Sequence, residues 1–327
     1  MRVLLAGGAG FIGSHFAKML VSKQLEKSEN ISEIVIVDSL EYAGNLLNIK
    51  ELVNKNLVTF VNEDIQNYDQ IRDIAVGVDL VINFAAQSHV DRSIEDPNSF
   101  INSNIVGMHS ILKASLDNNV GTFIQISTDE VYGSLIEGSA RESDALLPNS
   151  PYAASKAAAD LIARSYFKTY RYDVRVTRCT NNYGTHQYPE KIIPFFIKRI
   201  IENKTLPIYG DGLQIRDWIH VEDHCRGIWL SYLHGLPGEV YNLGSSNEIR
   251  NIDLANMIIS LTNSNTRIEH VVDRLGHDFR YSLDFSKANR EINFRPTIVF
   301  EDGMKQTIDW YLNNNEWWES MLKGGQR

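Results

Sequence analysis

The stretch RVLLAGGAGFIG, residues 2–13, decides the fold of this chain. Apolar residues typical of a short buried strand run directly into a turn with glycines at positions 7, 10 and 13, and a helical pattern follows at once. Glycines at this spacing permit a tight turn, bring the backbone close to a pyrophosphate and let the helix pack against the strand. The helix N-terminus then offers free N–H groups to phosphate oxygens. The stretch predicts a dinucleotide-binding unit.

The rest of the first half continues the alternation of strand and helix. Short apolar runs predict buried strands, and apolar residues three or four positions apart predict helices. The predicted strands are residues 2–6, 34–37, 58–61, 80–84, 122–126 and 173–177, and the predicted helices are residues 11–21, 68–75, 98–118 and 152–170. This alternation predicts an α/β fold built on a Rossmann-type doubly wound parallel sheet.

The alternation loosens after about residue 181. Strand-like pieces at 206–209, 240–243 and 268–272 mix with helical ones at 192–203, 221–232, 252–261 and 300–313. We predict a larger domain over residues 1–180 and a smaller C-terminal lobe formed mainly by residues 181–327. No linker rich in Gly, Ser or Pro separates the two, so the chain is free to cross between them, and a cleft is expected where they meet.

Composition excludes several classes of partner. The 327 residues carry a formal net charge of −9 and include two cysteines. An acidic chain is a poor general binder of nucleic acid or of anionic membranes, so neither is expected as a partner. Two cysteines do not make a disulfide framework, and no run approaches the roughly 18 apolar residues of a membrane span. We expect a cytoplasmic protein that holds any anionic ligand with a local group of basic residues.

Asp38 follows the second predicted strand and bears on the choice of dinucleotide. A carboxylate at this place accepts hydrogen bonds from both ribose hydroxyls of NAD and repels the 2′-phosphate of NADP. No arginine stands beside Asp38 in the sequence, which favours NAD. The alternative interpretation is a surface aspartate in a turn, and the glycine turn upstream argues against it.

Tyr152 and Lys156 lie four residues apart in SPYAASKA, which places them on one face of the predicted helix. An ammonium group beside a phenol stabilises the phenolate and lowers the pKa of the phenol from about 10 towards neutrality. The tyrosine can then take a proton from a substrate hydroxyl. The same spacing also occurs on plain helix surfaces, so it gains its meaning from the glycine turn.

Thr128, Asp129 and Glu130 come directly after the predicted strand 122–126, at the carboxyl edge where α/β proteins build their sites. Adjacent carboxylates in an apolar segment repel each other, so one of the two is expected to hold its proton near neutral pH. The pair then supplies one acid and one base, which loss of water requires and simple alcohol oxidation does not. The alternative is a solvated pair of loop carboxylates.

With these motifs the chain resembles the dTDP-glucose 4,6-dehydratase family of extended short-chain dehydrogenases/reductases along almost its whole length. The resemblance is carried by segments that include GGAGFIGSHF (7–16), ISTDEVYG (126–133), SPYAASKAAAD (150–160) and IYGDGLQIRDWIHVEDHCRGI (208–228). It implies NAD as the cofactor, dTDP-glucose as the substrate, and dTDP-4-keto-6-deoxyglucose and water as the products.

The resemblance also implies a role for each candidate catalytic residue. Tyr152 would deprotonate O4 of the sugar as hydride leaves C4 for NAD⁺, with Thr128 bonded to O4 and Lys156 also holding the nicotinamide ribose. Glu130 would take the C5 proton while Asp129 protonates the departing O6, and hydride would then return to C6. The cofactor is regenerated in each turnover, so it is expected to stay bound.

Further residues at matching positions are assigned to the two ligands. Those expected to bind NAD are Gly7, Gly10, Phe11, Ile12, Gly13, Asp38, Ser39, Asp64, Ile65, Ala85, Ala86, Ser88, Ser103, Tyr152, Lys156 and Asn182. Those expected to bind the sugar nucleotide are Ser88, Thr128, Asn181, Lys191, Ile192, Pro207, Tyr209, Arg216, Asn251, Arg274 and His277. Within this set the arginines and the histidine match positions that hold the diphosphate, and Tyr209 matches the ring that stacks on the base.

Three further expectations complete the prediction. Gln87 stands where the family commonly has a glutamate, which removes a charge beside the cofactor loop. His220 and His224 have the i, i+4 spacing of a metal-binding pair, but HVEDH is not the zinc pattern HExxH; we expect a helix start with acidic first-turn residues there, and no metal. A homodimer is expected from the resemblance alone.

Other functions remain open on the sequence. A 4,6-dehydratase acting on another nucleotide, a sugar-nucleotide 4-epimerase and a UDP-glucuronate decarboxylase would share the glycine turn and YxxxK. The epimerases and decarboxylases characteristically lack the Thr-Asp-Glu triplet. A non-enzymatic NAD sensor or scaffold could use the same fold, although such proteins tend to lose the tyrosine or the lysine, and both are present here.

Overall fold

The computed structural model describes residues 1–273 and 275–324. Its strands, numbered along the chain, are β1 (Arg2–Ala6), β2 (Glu33–Val37), β3 (Thr59–Val61), β4 (Leu80–Asn83), β5 (Thr122–Thr128), β6 (Val174–Cys179), β7 (Asn181–Tyr183), β8 (Leu206–Tyr209), β9 (Ile215–His220), β10 (Val240–Leu243), β11 (Glu248–Arg250) and β12 (Ile268–Val271). Seven of them form one parallel sheet in the order β3-β2-β1-β4-β5-β6-β10. The strand order reverses at β1, and ligands of such sheets bind at the carboxyl ends of the strands on either side of that point.

The helices, numbered in the same way, are α1 (Phe11–Val21), α2 (Lys50–Asn54), α3 (Tyr68–Ile74), α4 (Val90–Glu95), α5 (Pro97–Ile101), α6 (Met108–Asp117), α7 (Pro151–Tyr170), α8 (Ile192–Ile201), α9 (Val221–His234), α10 (Asn251–Leu261), α11 (Ser286–Ile292), α12 (Phe300–Asn313) and α13 (Asn315–Gly324). A π-helical segment, Asn102–Gly107, joins α5 to α6, and a short 3₁₀ helix, Asp129–Tyr132, follows β5.

Alternating strand residues fill two cores on opposite faces of the large sheet. Leu5 and Ile82 pack on the face covered by α1, α9 and α11, whereas Leu4 and Val81 pack on the face covered by α3, α6 and α7. All four side chains are fully buried, which explains why these strands are nearly continuous apolar runs rather than alternating ones. The predicted doubly wound α/β fold is confirmed.

A smaller lobe forms around two short sheets, β11-β9-β7 and β12-β8, with α8, α10, α12 and α13 packed on them. Trp218 on β9 is buried at the centre of its core beside Phe196 of α8 and Met304 of α12. This lobe is drawn from the second half of the chain, as its irregular pattern indicated.

Two predicted elements turn out differently. The helix expected over 98–118 is three consecutive segments, because a π turn at Asn102–Gly107 interrupts the α-helical hydrogen bonding. Val240–Leu243, expected in the second half, is the seventh strand of the large sheet and pairs with β6. The chain therefore crosses back between the two parts after residue 180, since a four-residue apolar piece carries no information about its partner.

Candidate active site

The glycine turn lies at the carboxyl edge of the large sheet, between β1 and α1. Gly7 has a φ of +72°, which side-chain-bearing residues rarely adopt, and a Cβ added there would lie 2.5 Å from the backbone nitrogen of Ala85. A Cβ on Gly13 would lie 2.4 Å from the carbonyl oxygen of Gly7. Both positions require glycine for close backbone packing, as the sequence predicted.

Asp38 is buried directly after β2, and the backbone orients its carboxyl group. Its Oδ2 accepts a hydrogen bond from the Ala9 N–H at 3.0 Å, and its Oδ1 accepts one from the Leu40 N–H at 2.9 Å. Burial raises the pKa of Asp38 above its usual value, and these two hydrogen bonds oppose the rise. The carboxyl group thus lies beside the glycine turn and is not a solvated surface group, which excludes the alternative interpretation.

One cavity of about 670 Å³ extends from the glycine turn to the smaller lobe. Such a volume suits a cofactor and a small substrate together. Every described residue that the sequence assigned to catalysis, to NAD or to the sugar nucleotide lines this cavity. Arg274, also assigned to the sugar nucleotide, lies outside the described residues. The structure therefore brings together residues that the sequence spreads from position 7 to position 277.

Thr128, the last residue of β5, connects the candidate catalytic groups. Its hydroxyl donates to Oδ1 of Asp129 at 3.1 Å, accepts from the backbone N–H of Glu130 at 3.3 Å, and lies beside the phenol of Tyr152, whose pKa it acts to lower. The threonine caps the short helix that carries both carboxyl groups. The two carboxyl groups and the phenol are consequently held within one small group of side chains.

The carboxyl pair has the asymmetry that its sequence predicts. Asp129 is buried while Glu130 is partly exposed. Burial, and then the neighbouring charge of Glu130, raise the pKa of Asp129 well above its usual value. The direction of this shift agrees with the prediction that one member of the pair favours its protonated form, and that member is Asp129.

Tyr152 and Lys156 lie one helical turn apart on α7, both buried, but their electrostatics differ from the prediction. The ammonium group of Lys156 donates to the carbonyl oxygen of Ile126 at 2.6 Å. Burial, and then the charge of Glu130, raise the pKa of Tyr152 well above its usual value. The prediction that Lys156 brings this pKa towards neutrality is wrong for this structure, because desolvation and the nearby charge of Glu130 raise the pKa and the ammonium group is not among the groups that lower it.

The far end of the cavity carries the cationic side chains. Arg216 on β9 is buried; its guanidinium donates to the carbonyl oxygens of Ile215 at 2.8 Å and Asp278 at 2.9 Å and lies 4.4 Å from the ring centre of Tyr281. Nδ1 of His277 lies 2.6 Å from a carboxylate oxygen of Asp273. These contacts fix the direction in which the guanidinium and the imidazole meet a ligand.

A contact across the cavity was missed by sequence reasoning. The hydroxyl of Tyr42 donates to the carboxylate of Glu190, and the guanidinium of Arg92 lies 4.6 Å from the centre of the Tyr42 ring. Nearby, the ammonium group of Lys191 donates to the carbonyl oxygen of Ser88 at 2.7 Å. Tyr42 and Glu190 lie in the segments VDSLEYAGN and PEKIIP, so the family resemblance could have identified them.

Gln87 lines the cavity, whereas His220 and His224 stand at the start of α9. The backbone of Gln87 is held on both sides by Asn104, which accepts from its N–H at 2.8 Å and donates to its carbonyl oxygen at 3.0 Å. His220 caps α9, and Glu222 and Asp223 stand in the first turn, which confirms the predicted helix start. No group of three or more metal-binding side chains occurs within residues 1–273 and 275–324. Over the same residues, no helix combines the length and the apolar character needed to cross a membrane.

Comparison with known proteins places this geometry in a family. Residues 4–307 match the family model described as GDP-mannose 4,6 dehydratase. A dTDP-glucose 4,6-dehydratase of Streptomyces niveus is 44% identical over 322 residues, which cover 98% of this chain and 96% of that protein.

Solved structures extend the comparison. The crystal structure of DesIV, a dTDP-glucose 4,6-dehydratase from Streptomyces venezuelae with NAD and TYD bound, matches with a TM-score of 0.96 and 45% identity, over 98% of this chain and 100% of that one. A UDP-glucuronic acid 4-epimerase from Bacillus cereus matches with a TM-score of 0.90 at 27% identity, over 96% of this chain and 99% of that one. The chain belongs to the nucleotide-sugar dehydratase family and, within it, to the dTDP-glucose 4,6-dehydratases.

Proposed function

We propose that this protein is an NAD-dependent dTDP-glucose 4,6-dehydratase that converts dTDP-glucose to dTDP-4-keto-6-deoxyglucose and water. The observation that carries the proposal is the pairing of a buried carboxyl group, Asp129, with a partly exposed one, Glu130, beside Tyr152 in the cavity that the glycine turn opens. An acid and a base side by side serve elimination of water, which neither epimerisation nor decarboxylation requires. The names of relatives that are 44% and 46% identical support the same activity.

The residues around the glycine turn fit NAD. Gly7, Gly10 and Gly13 leave no side chain between the backbone and a pyrophosphate, and Asp38 presents a carboxyl group for the ribose hydroxyls. The buried hydroxyl of Thr180, also in the lining, has no hydrogen-bond partner among the described residues and is available to a ligand. These residues would hold NAD, whose nicotinamide would supply the acceptor for hydride from C4 and the donor of hydride to C6.

The side chains divide the proton transfers among themselves. Tyr152 takes the proton from the O4 hydroxyl, to which Thr128 also hydrogen-bonds, and the ketone formed at C4 makes the C5 proton acidic. Glu130 removes that proton, while Asp129 gives its proton to O6 as the C6–O6 bond breaks and water leaves. Glu130 then returns a proton to C5. Lys156 supplies positive charge that stabilises the phenolate form of Tyr152, which accepts the O4 proton. After product leaves, the proton gained by Tyr152 and the proton lost by Asp129 exchange with solvent, so both groups return to their starting forms.

The sugar nucleotide is assigned to the other end of the cavity. Arg216 offers a cationic donor and His277 an imidazole N–H for the diphosphate, and the half-exposed ring of Tyr209 offers a face for the base. Arg274, which the family resemblance adds to this set, lies outside the described residues. Asn181, Lys191, Ile192, Pro207 and Asn251 complete the assigned lining.

Three further assignments concern the domains, the oligomeric state and the cellular compartment. Residues 1–180, joined by α9 and β10, form the NAD-binding domain, and most of the remaining chain forms the sugar-nucleotide lobe. Exposed apolar side chains at Ile101, Val106 and Leu161 support a homodimer. The free, buried cysteines Cys179 and Cys225 fit a cytoplasmic enzyme.

Parallel incubation with dTDP-, UDP-, GDP- and CDP-glucose tests the proposal. The 4-keto-6-deoxy product is measured by its absorbance in alkali and by the loss of 18 mass units, as expected for one water. We expect turnover with dTDP-glucose to exceed turnover with the other three. Turnover of another nucleotide at the higher rate would reassign the substrate, whereas a 4-epimer without loss of water would exclude a dehydratase.

A further inference from the structure

A buried ionic network lies behind the candidate catalytic residues and takes no part in the proton transfers described above. Nε of Arg178 donates to a carboxylate oxygen of Asp160 at 2.8 Å, and one terminal nitrogen of Arg178 donates to the hydroxyl of Tyr132 at 2.7 Å. That hydroxyl donates in turn to the side-chain oxygen of Asn242 at 2.9 Å. Asp160 and Arg178 are 0% and 1% exposed, so the ion pair is withdrawn from solvent.

The network joins the elements that carry the two halves of the proposed chemistry. Asp160 lies on α7, two helical turns beyond Tyr152 and one beyond Lys156. Tyr132 ends the short helix that begins with Asp129, and Gly133 follows it with a φ of +77°. A continuous path of hydrogen bonds therefore runs from the helix of the phenol to the turn of the carboxyl pair.

The short helix is held at both ends, and only one end depends on the cavity. The capping hydroxyl of Thr128 holds its start, next to the substrate. The hydroxyl of Tyr132 holds its end, where the guanidinium of Arg178 also lies 4.9 Å from the centre of the Tyr132 ring. A helix of four residues has no hydrogen-bonded interior to keep it rigid. These two side-chain contacts therefore help to set where the carboxyl groups point, together with the hydrogen bond that the Leu147 N–H donates to the carbonyl oxygen of Val131 at 3.0 Å.

Stability alone does not explain a buried ion pair at this place. Withdrawing a carboxylate and a guanidinium from water costs free energy that their attraction only partly offsets, and apolar side chains of similar volume often stabilise a protein as well or better. We propose that Tyr132 and Arg178, supported by Asp160, are positioning residues that hold Asp129 and Glu130 in register with Tyr152 for the elimination of water. The inference rests on the proposed dehydratase activity.

The replacement Tyr132→Phe tests the inference by removing one hydroxyl. Because the oxidation at C4 uses Tyr152 and not the carboxyl pair, NADH should form at the wild-type rate in a single turnover with dTDP-glucose. The following loss of NADH and the exchange of the C5 hydrogen with solvent deuterium should slow by about 10- to 100-fold, as expected for misplaced catalytic groups. A role confined to stability would not separate the two steps in this way.

Tyr166→Phe is the matched control: Tyr166 lies on α7, as Asp160 does, but its hydroxyl hydrogen-bonds His109 and not the network. It should leave both steps unchanged. If Tyr132→Phe fails to fold, the paired replacement of Asp160 by Leu and Arg178 by Met removes the buried charges together and is expected to fold. Elimination slowed in either variant relative to oxidation supports the inference.

Wild-type rates of elimination in Tyr132→Phe, or in the folded paired variant, would overturn the inference, and so would equal slowing of both steps. The wild-type protein measured in parallel separates this failure from failure of the proposed function. If the wild type makes no 4-keto-6-deoxy sugar, the activity itself is wrong; if it does and the variants match it, only the positioning role is wrong.

Discussion

Replacing Asp129 with asparagine is the sharpest perturbation of the proposed mechanism. Burial raises the pKa of Asp129 well above its usual value and favours the neutral acid, which asparagine matches in charge and in approximate volume. The amide oxygen can still accept the hydrogen bond that the Thr128 hydroxyl now donates to Oδ1 at 3.1 Å. What is lost is the proton for O6, and general acid catalysis contributes about 10²- to 10⁴-fold, equivalent to roughly 3–5 kcal/mol of barrier.

The assay is a single turnover with dTDP-glucose, followed at 340 nm and by product analysis. In Asp129→Asn, NADH should form and persist, because the oxidation at C4 does not use this carboxyl group. Formation of the 6-deoxy product should fall by about 10²- to 10⁴-fold. Glu130→Gln should behave similarly and should also slow exchange of the C5 hydrogen with solvent deuterium.

The stability of the same variant gives an independent measurement. The folded-state pKa of Asp129 is raised above that of the unfolded chain. Between the two pKa values the folded protein binds more protons than the unfolded chain, so the wild type loses stability as the pH rises from the lower value to the higher one. The amide in Asp129→Asn does not titrate, so the Tm difference, variant minus wild type, should grow between pH 5 and pH 8, by about 2 °C per kcal/mol. A variant that makes 6-deoxy product at the wild-type rate would refute the acid role, and a Tm difference independent of pH would refute the buried neutral carboxyl group.

Three other variants and conditions test the remaining assignments. Tyr152→Phe should abolish NADH formation, with a fall in turnover of at least about 10²-fold and an unchanged Tm, and near-normal turnover would remove this residue from the base role. Gly44→Ala should release NAD that otherwise co-purifies, since the added Cβ would lie 2.3 Å from Oδ1 of Asp38, and equal NAD content of the two denatured proteins would contradict this. Acid unfolding should begin as the pH falls below about 6.5. Burial lowers the folded-state pKa of four histidines to between about 2 and about 4, namely His15, His186, His220 and His224. Below about pH 6.5 the unfolded chain therefore binds more protons than the folded protein, and each of these histidines lowers the free energy of unfolding by roughly 1 kcal/mol per pH unit. Replacing the exposed His234 with glutamine should leave the midpoint of that transition unchanged.

The sequence predicted most of the large sheet because its determinants are local. The strands around Leu4 and Val81 are buried on both faces, and such strands show as apolar runs without reference to the rest of the chain. The glycine turn is equally local, since the close approach of Gly13 to Gly7 involves only neighbouring residues. The partner of Val240–Leu243 in the sheet was not predictable, because it lies more than 60 residues away on β6 (Val240 pairs with Val176).

Within the site, residue types and positions were predictable from the sequence. Of the two pKa shifts, the one at Asp129 was predicted and the one at Tyr152 was not. The neighbouring carboxylates and the apolar strand before them sufficed to predict a raised pKa for one member of the pair, because both causes are visible within residues 122–130. The raised pKa of Tyr152 was not, since it arises from complete burial and from Glu130 on another element. The contact between Tyr42 and Glu190 likewise joins loops that are 148 positions apart.

Burial thus acts in opposite senses on the two proton-transfer groups of this cavity. Raising the pKa of Asp129 produces the acid that elimination needs, whereas raising that of Tyr152 opposes the base that oxidation needs. The phenol becomes a base only if positive charge approaches it, and Lys156, one turn away, holds that charge against the carbonyl oxygen of Ile126. A positive charge next to the phenol lowers the pKa of Tyr152, whereas Asp129 serves elimination best when it keeps its proton. The desolvation that favours the protonated form of Asp129 therefore has to be opposed by positive charge at Tyr152 before the phenol can act as a base.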